Sequence, residues 1–203
     1  MSSWLWQTAG LLRCWFRFPA PGVTGQYRPW QSDSDILAMM RLILIRHAPA
    51  EERTSTKRDY ERRLTVQGRR RMHVAARGLK ALVPDVSLVA ASPVVRARQT
   101  AEIVARQYDA AEVLSLPALS PGSNPRAMLA WLKQQPPDVT VAAVGHEPGL
   151  GIMASWLLAK RRKSFISFKK GAACLIDVAG EPATGAGRLV WLLTPAVLCQ
   201  IGS

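Results

Sequence analysis

The chain has 203 residues, enough for one domain of moderate size with a proper core. Hydrophobic residues make up 48% and charged residues 20%, which excludes a disordered chain, and no run of about eighteen apolar residues is free of charge or proline, so a membrane span is not expected. The balance is basic, 27 Lys+Arg against 14 Asp+Glu for a formal +13, which narrows the partner to something anionic.

Residues 1–39 differ from the rest. Trp4, Trp6, Trp15, Phe16, Phe18 and Trp30 are interleaved with Pro19, Pro21 and Pro29, and no helical or strand period emerges. Arg13 and Arg17 interrupt what would be the apolar middle of a signal peptide. The segment is expected to be a loosely ordered extension, or a stretch upstream of a true start at Met39 or Met40. A membrane-surface or partner-binding role for its tryptophans is the competing reading.

From residue 40 the pattern is regular. Arg41-Leu-Ile-Leu-Ile45 predicts a strand buried on both faces. Thr65 is placed to cap a helix reaching about Leu82, with its arginines outward. Pro84 and Asp85 turn the chain into a second strand over 86–90. Ser92 is read as the cap of the next helix, with Pro93 in its first position and an end near Tyr108. A short strand follows near 112–114, then a helix over 125–135 stopped by Pro136 and Pro137. Val139 to Val144 reads as a further buried strand, and Glu147-Pro148 as the start of a helix through about Ala159. Two late strands, 172–178 and 188–193, flank a glycine-rich turn and predict a hairpin. Strands alternating with helices predict an α/β fold of three layers, α/β/α, with a mostly parallel sheet and an antiparallel edge. The domain is taken as residues 40–203.

Three cysteines, Cys14, Cys174 and Cys199, are widely spaced, with neither a CxxC pair nor a zinc-like His/Cys cluster. Cys174 lacks the arginine six residues on that a cysteine-dependent phosphatase loop needs. A disulfide framework, a metal and a cofactor are therefore not expected, and a cytoplasmic location is.

Ligands of open α/β sheets bind beyond the carboxyl ends of the strands. The first strand delivers Arg46 and His47 there. The second delivers Ser92 and, one turn into its helix, Arg96. The strand before Gly145 delivers His146. Two of the three histidines thus stand at strand exits on one rim, whereas His73 lies within the arginine-rich helix and is set aside. Guanidinium forks match phosphate oxygens, and a neutral imidazole can attack phosphorus. Phosphoryl transfer asks mainly for positioning and for neutralised charge on the equatorial oxygens.

On these residues the chain resembles the histidine phosphatase (phosphoglycerate mutase-like) superfamily, and within it the SixA-type phosphohistidine phosphatases. The resemblance is carried by Leu44-Ile-Arg-His-Ala48, Arg62-Arg-Leu-Thr-Val-Gln-Gly68, Ser92-Pro-Val-Val-Arg-Ala-Arg-Gln-Thr100 and Val144-Gly-His-Glu-Pro-Gly149, and covers about residues 40–160. It implies that His47 receives the phosphoryl group while Arg46 and Arg96 hold its oxygens. It also implies that His146 donates to the phosphoryl group and that Arg62 or its neighbour Arg63, spacing favouring Arg62, touches phosphate. Arg98 is expected to point elsewhere. Ala48 stands where the family has glycine. Only about forty residues separate the second strand's exit from the strand ending at Gly145, too few for the large lid that supplies a glutamate in the mutase branch. Glu51, Glu52 and Glu147 remain open as proton donors.

The resulting expectation is metal-independent hydrolysis of phosphohistidine on a protein, such as a histidine phosphotransfer domain, by a monomer. A broad phosphatase of small phosphoesters or nucleotides is the alternative. A non-catalytic polyanion or nucleic-acid binder is the third reading, disfavoured because few aromatics follow residue 40 near the basic runs.

Overall fold

A computed structural model describes residues 39–55, 58–108 and 112–203. The readings made on residues 1–38 lie outside it. Leu42, Ile43, Leu44 and Ile45 have no polar alternation, and all four are fully buried. They form the middle of β1 (Met39–Arg46), which is paired on both edges and covered on both faces. The remaining strands are β2 (Leu88–Ala91), β3 (Val113–Ser115), β4 (Thr140–Gly145), β5 (Ala173–Ala179) and β6 (Gly187–Leu193). They make one sheet in the order β3-β2-β4-β1-β5-β6. Pairings among β3, β2, β4 and β1 are parallel, and β5 and β6 add the antiparallel edge foreseen from the hairpin.

Side-chain alternation along β1 divides the core. Ile43 and Ile45 pack with Met72, Ala75 and Leu79 of α1 (Val66–Leu82) and with Ala97, Ala101 and Val104 of α2 (Val95–Ala105). Leu42 and Leu44 pack on the other face, with Met128 and Leu132 of α3 (Pro125–Leu132) and Leu150, Met153 and Leu157 of α4 (Gly149–Ala159). Two helical layers thus sandwich the sheet. No helix among the described residues is long and apolar enough to cross a membrane.

Several boundaries differ from the sequence reading, among them that of the helix expected from Glu147-Pro148, which starts at Gly149. The second strand starts at Leu88 rather than near 86. The helix after it starts at Val95 with Val94 as its cap, two residues later than the Ser92–Pro93 start, and ends at Ala105. The Ser92 hydroxyl lies instead against a histidine from β4. α3 stops at Leu132, and Gln134 and Gln135 close only tight three-residue turns. A last helix, α5 (Pro195–Ile201), was not foreseen; Thr194 caps it, Pro195 opens it, and Leu198 seats it in the core.

The feature that positions the site is the register of three parallel strands. Arg46 sits opposite Gly145, and Ala91 opposite Val144. Their exits are therefore level, and residues 47, 92 and 146 emerge side by side on one rim.

Candidate active site

His47 leaves β1 as a buried residue, 6% exposed. Its Nδ1–H donates to the carbonyl of Ala48 at 2.8 Å. A carbonyl can only accept, so this bond places the proton of the neutral ring on Nδ1 and the lone pair on Nε2. Arg96 Nε–H points at that Nε2 from 3.3 Å. His146 leaves β4 with its ring centroid 5.0 Å from that of His47. Its Nε2 lies 3.0 Å from Ser92 Oγ, and its Nδ1 is buried with no protein partner.

Helix α2 and the turn before it hold this arrangement together. Ser92 meets His146, and Arg96 meets His47. Gln99 Oε1 accepts from the Leu64 amide at 2.9 Å, and Thr100 Oγ1 accepts from the Ala48 amide at 3.1 Å. The conspicuous spacing of Ser92, Arg96, Gln99 and Thr100 thus has a mechanical basis, since together they fasten three segments of the rim, at His47–Ala48, Leu64 and His146. The Leu64–Gly68 segment has one too. Thr65 Oγ1 accepts from the Gly68 amide, and a Cβ on Gly68 would stand 2.2 Å from the Pro49 carbonyl oxygen, so only glycine fits there.

A cavity of about 160 Å³ opens over the two rings, lined by Arg46, His47, Arg53, Arg62, Arg96, Pro121, His146, Glu147 and Lys170. Five of these carry positive charge and one negative. Arg46 is anchored by an Nη1–H donated to the Phe168 carbonyl, and its Nε is buried without a partner. Arg62 lines the cavity, whereas Arg63 faces a separate depression with Glu61, Val95 and Gln99. Arg98 lies outside, paired with Glu102 on an exposed face, as expected. Of the three glutamates considered as proton donors, Glu147 alone lines the cavity; its Oε1 accepts from the Phe168 amide at 3.0 Å, and burial pushes its carboxyl up.

Sequence reading placed Ser92 on the rim but took it as a helix cap, and missed three other contributors. Arg53 and Lys170 gave no local signal. Asp59, in a 3-10 turn (Asp59–Glu61), was overlooked although its carboxylate receives Arg53, Arg62 and Arg96. Its place three residues before Arg62 was the available clue.

Burial pushes the His47 imidazole down from 6.5 to about 4; Arg96, Arg46 and Lys170 push the same way, against the Ala48 hydrogen bond. Burial, together with His47 and Arg96, takes His146 down to about 3. Both rings are neutral at pH 7. Because the folded values lie below the ordinary one, the unfolded chain binds more protons between about pH 6.5 and 4. The stability these rings contribute is therefore present above about pH 6.5 and is lost as pH falls toward 4, on the order of 3 kcal/mol for His47. The melting temperature of the parent is expected to fall more steeply over this window than that of a His47→Gln/His146→Gln protein. Parallel curves would refute the assignment.

A family model described as histidine phosphatase superfamily (branch 1) matches residues 42–120. An uncharacterized protein of Picosynechococcus sp. (strain ATCC 27264 / PCC 7002 / PR-6) is 36% identical over 137 residues, covering 64% of this chain and 81% of that one. The structure of the protein histidine phosphatase SixA complexed with tungstate aligns with a TM-score of 0.69 at 24% identity, over 78% of this chain and 99% of that one. A proposed SixA phosphohistidine phosphatase of Nakamurella multipartitia aligns with a TM-score of 0.64 at 25% identity, over 77% and 96%.

Proposed function

The chain belongs to the histidine phosphatase superfamily, and on that premise we propose that it hydrolyses phosphohistidine on proteins through a phosphorylated His47. The observation that carries this reading is the His47 ring itself. It is neutral, protonated on Nδ1 by virtue of the Ala48 carbonyl, and presents Nε2 to a cavity lined with guanidinium groups.

In the first step the Nε2 lone pair exchanges its hydrogen bond from Arg96 Nε–H for a bond to phosphorus, while the bond to the substrate nitrogen breaks. A substrate imidazole already protonated on its other nitrogen leaves neutral, so no proton from the enzyme is required. This suits a site whose one lining carboxylate, Glu147, is engaged with backbone amides. Arg46 and Arg96 face the equatorial oxygens, and Arg62 extends the clamp. Ser92 Oγ lies 3.0 Å from His146 Nε2 and fixes that ring at the edge of the cavity, where His146 is read as the donor to one phosphoryl oxygen. In the second step water forms a bond to phosphorus, the P–Nε2 bond breaks, and both protons of the water stay on the released phosphate monoanion. His47 leaves as the neutral imidazole because Nδ1 has kept its proton throughout. Guanidinium groups supply the charge that such a transfer needs, so this design calls for no metal.

The open cavity and the basic rim favour a phosphoryl group presented on an acidic protein surface, met by a cytoplasmic monomer. Residues 40–203 are the catalytic domain in this reading, and 1–39 an extension outside it. Purified protein is expected to hydrolyse a phosphohistidine peptide with a kcat/KM at least about a hundredfold above that for a phosphoserine peptide, an alkyl ester whose alkoxide leaving group needs a proton. A preference for the ester would replace this reading with that of a broad small-molecule phosphatase.

A further inference from the structure

Among the groups that the proposed chemistry does not use, the Asp59 carboxylate is the most heavily engaged. Its Oδ1 accepts from Arg53 Nε at 2.9 Å and from Arg62 Nε and Nη2 at 3.1 and 2.8 Å. Its Oδ2 accepts from Arg96 Nη2 at 3.0 Å, and its backbone carbonyl from Arg96 Nη1 at 2.7 Å. All three guanidinium groups line the cavity, and one carboxylate serves them all.

We propose that Asp59 is a positioning residue that keeps the arginine clamp aimed and partly neutralised, so that the pocket binds phosphate loosely enough to release it. The inference rests on reading the cavity as a phosphoryl site. Two consequences of the geometry support it. First, Arg96 is gripped at both terminal nitrogens by Asp59, which leaves its Nε–H directed at His47 Nε2. A guanidinium is a planar fork, so fixing one edge fixes the other. Second, the carboxylate competes for the donors that a phosphoryl group would use. A pocket with three converging guanidiniums and no counter-charge would hold a phosphate dianion more tightly, and tight binding of product stabilises the wrong state. The carboxyl is fit for a permanent negative charge: burial alone would raise its pKa, but Arg96 and Arg62 outweigh burial and hold it at about 2. Its side chain keeps 39% of its exposure, so replacement does not leave a sealed cavity.

Titration of inorganic phosphate into the parent and into Asp59→Asn protein, with turnover of a phosphohistidine peptide measured alongside, tests this. The Asn variant is expected to bind phosphate about five- to tenfold more tightly, while kcat falls by at least about tenfold and KM does not rise. A residue that merely supports the fold would weaken both together, so looser or unchanged phosphate binding overturns the proposal. Asp59→Glu keeps the charge and should hold phosphate within about twofold of the parent; equal tightening there would show that charge is not the cause. Asp59→Ala is the second neutral variant, and if neither neutral variant folds, Asp59 is a folding residue and the proposal falls. A parent that binds no phosphate at all would instead remove the phosphoryl-site reading on which this one stands.

Discussion

Replacing His47 with alanine is expected to lower turnover of a phosphohistidine peptide by at least about a thousandfold, equivalent to roughly 4 kcal/mol of barrier. The proposed chemistry runs through a bond to Nε2, and no other side chain in the cavity offers a neutral lone pair in that place: His146 turns its Nε2 to Ser92. The fold should survive, because among the described residues the ring bonds only to the Ala48 carbonyl and Arg96 and packs beside His146, outside both hydrophobic clusters. Phosphate affinity should survive as well, since the guanidinium groups remain. His146→Ala is expected to lose less, on the order of a hundredfold, as befits a donor to one oxygen. Mass mapping after brief exposure to labelled substrate should find the label on His47. A His47→Ala protein that keeps a tenth of the parent rate, or a label on another residue, would end the proposed mechanism.

The second large effect concerns Arg96. Its lysine variant preserves the charge and discards the fork, and is expected to lose about a hundredfold or more in kcat. The side chain is 4% exposed and joins His47 Nε2 to Asp59 through different nitrogens of one plane. Lysine has a single nitrogen on a flexible stem and cannot hold both. Arg62→Lys should cost less, because Arg62 reaches Asp59 and the Glu51 carbonyl but not His47. Rates for Arg96→Lys within threefold of the parent would show that charge alone suffices there.

Much of this was legible in the sequence. The run from Leu42 to Ile45 could only be a strand covered on both faces, and the parallel alternation then placed residues 46, 47, 92 and 146 on one rim. Thr65 announced its helix. What escaped was long-range. Ser92 carries every local mark of a helix cap, and only the arrival of His146 from β4, 54 positions away, claims its hydroxyl. Lys170 comes to the cavity from the loop beyond α4, where no periodicity marks it. Asp59 sits in a 3-10 turn too short to have a pattern, and its importance is visible only when three arginines from separate segments are seen to meet on it. α5 was missed because its Thr-Pro start follows directly on a strand.

Fastening the rim through Ser92, Arg96, Gln99 and Thr100 has an evolutionary corollary. These four ties reach across 35 to 54 positions of chain and all converge on a single short rod with its preceding turn. The reacting atoms therefore owe much of their alignment to the interior, while Asp59 and Lys170 are among the parts that connecting segments supply. Segments that carry neither can be exchanged for others, and so acquire new clients, while the machinery underneath stays in tune.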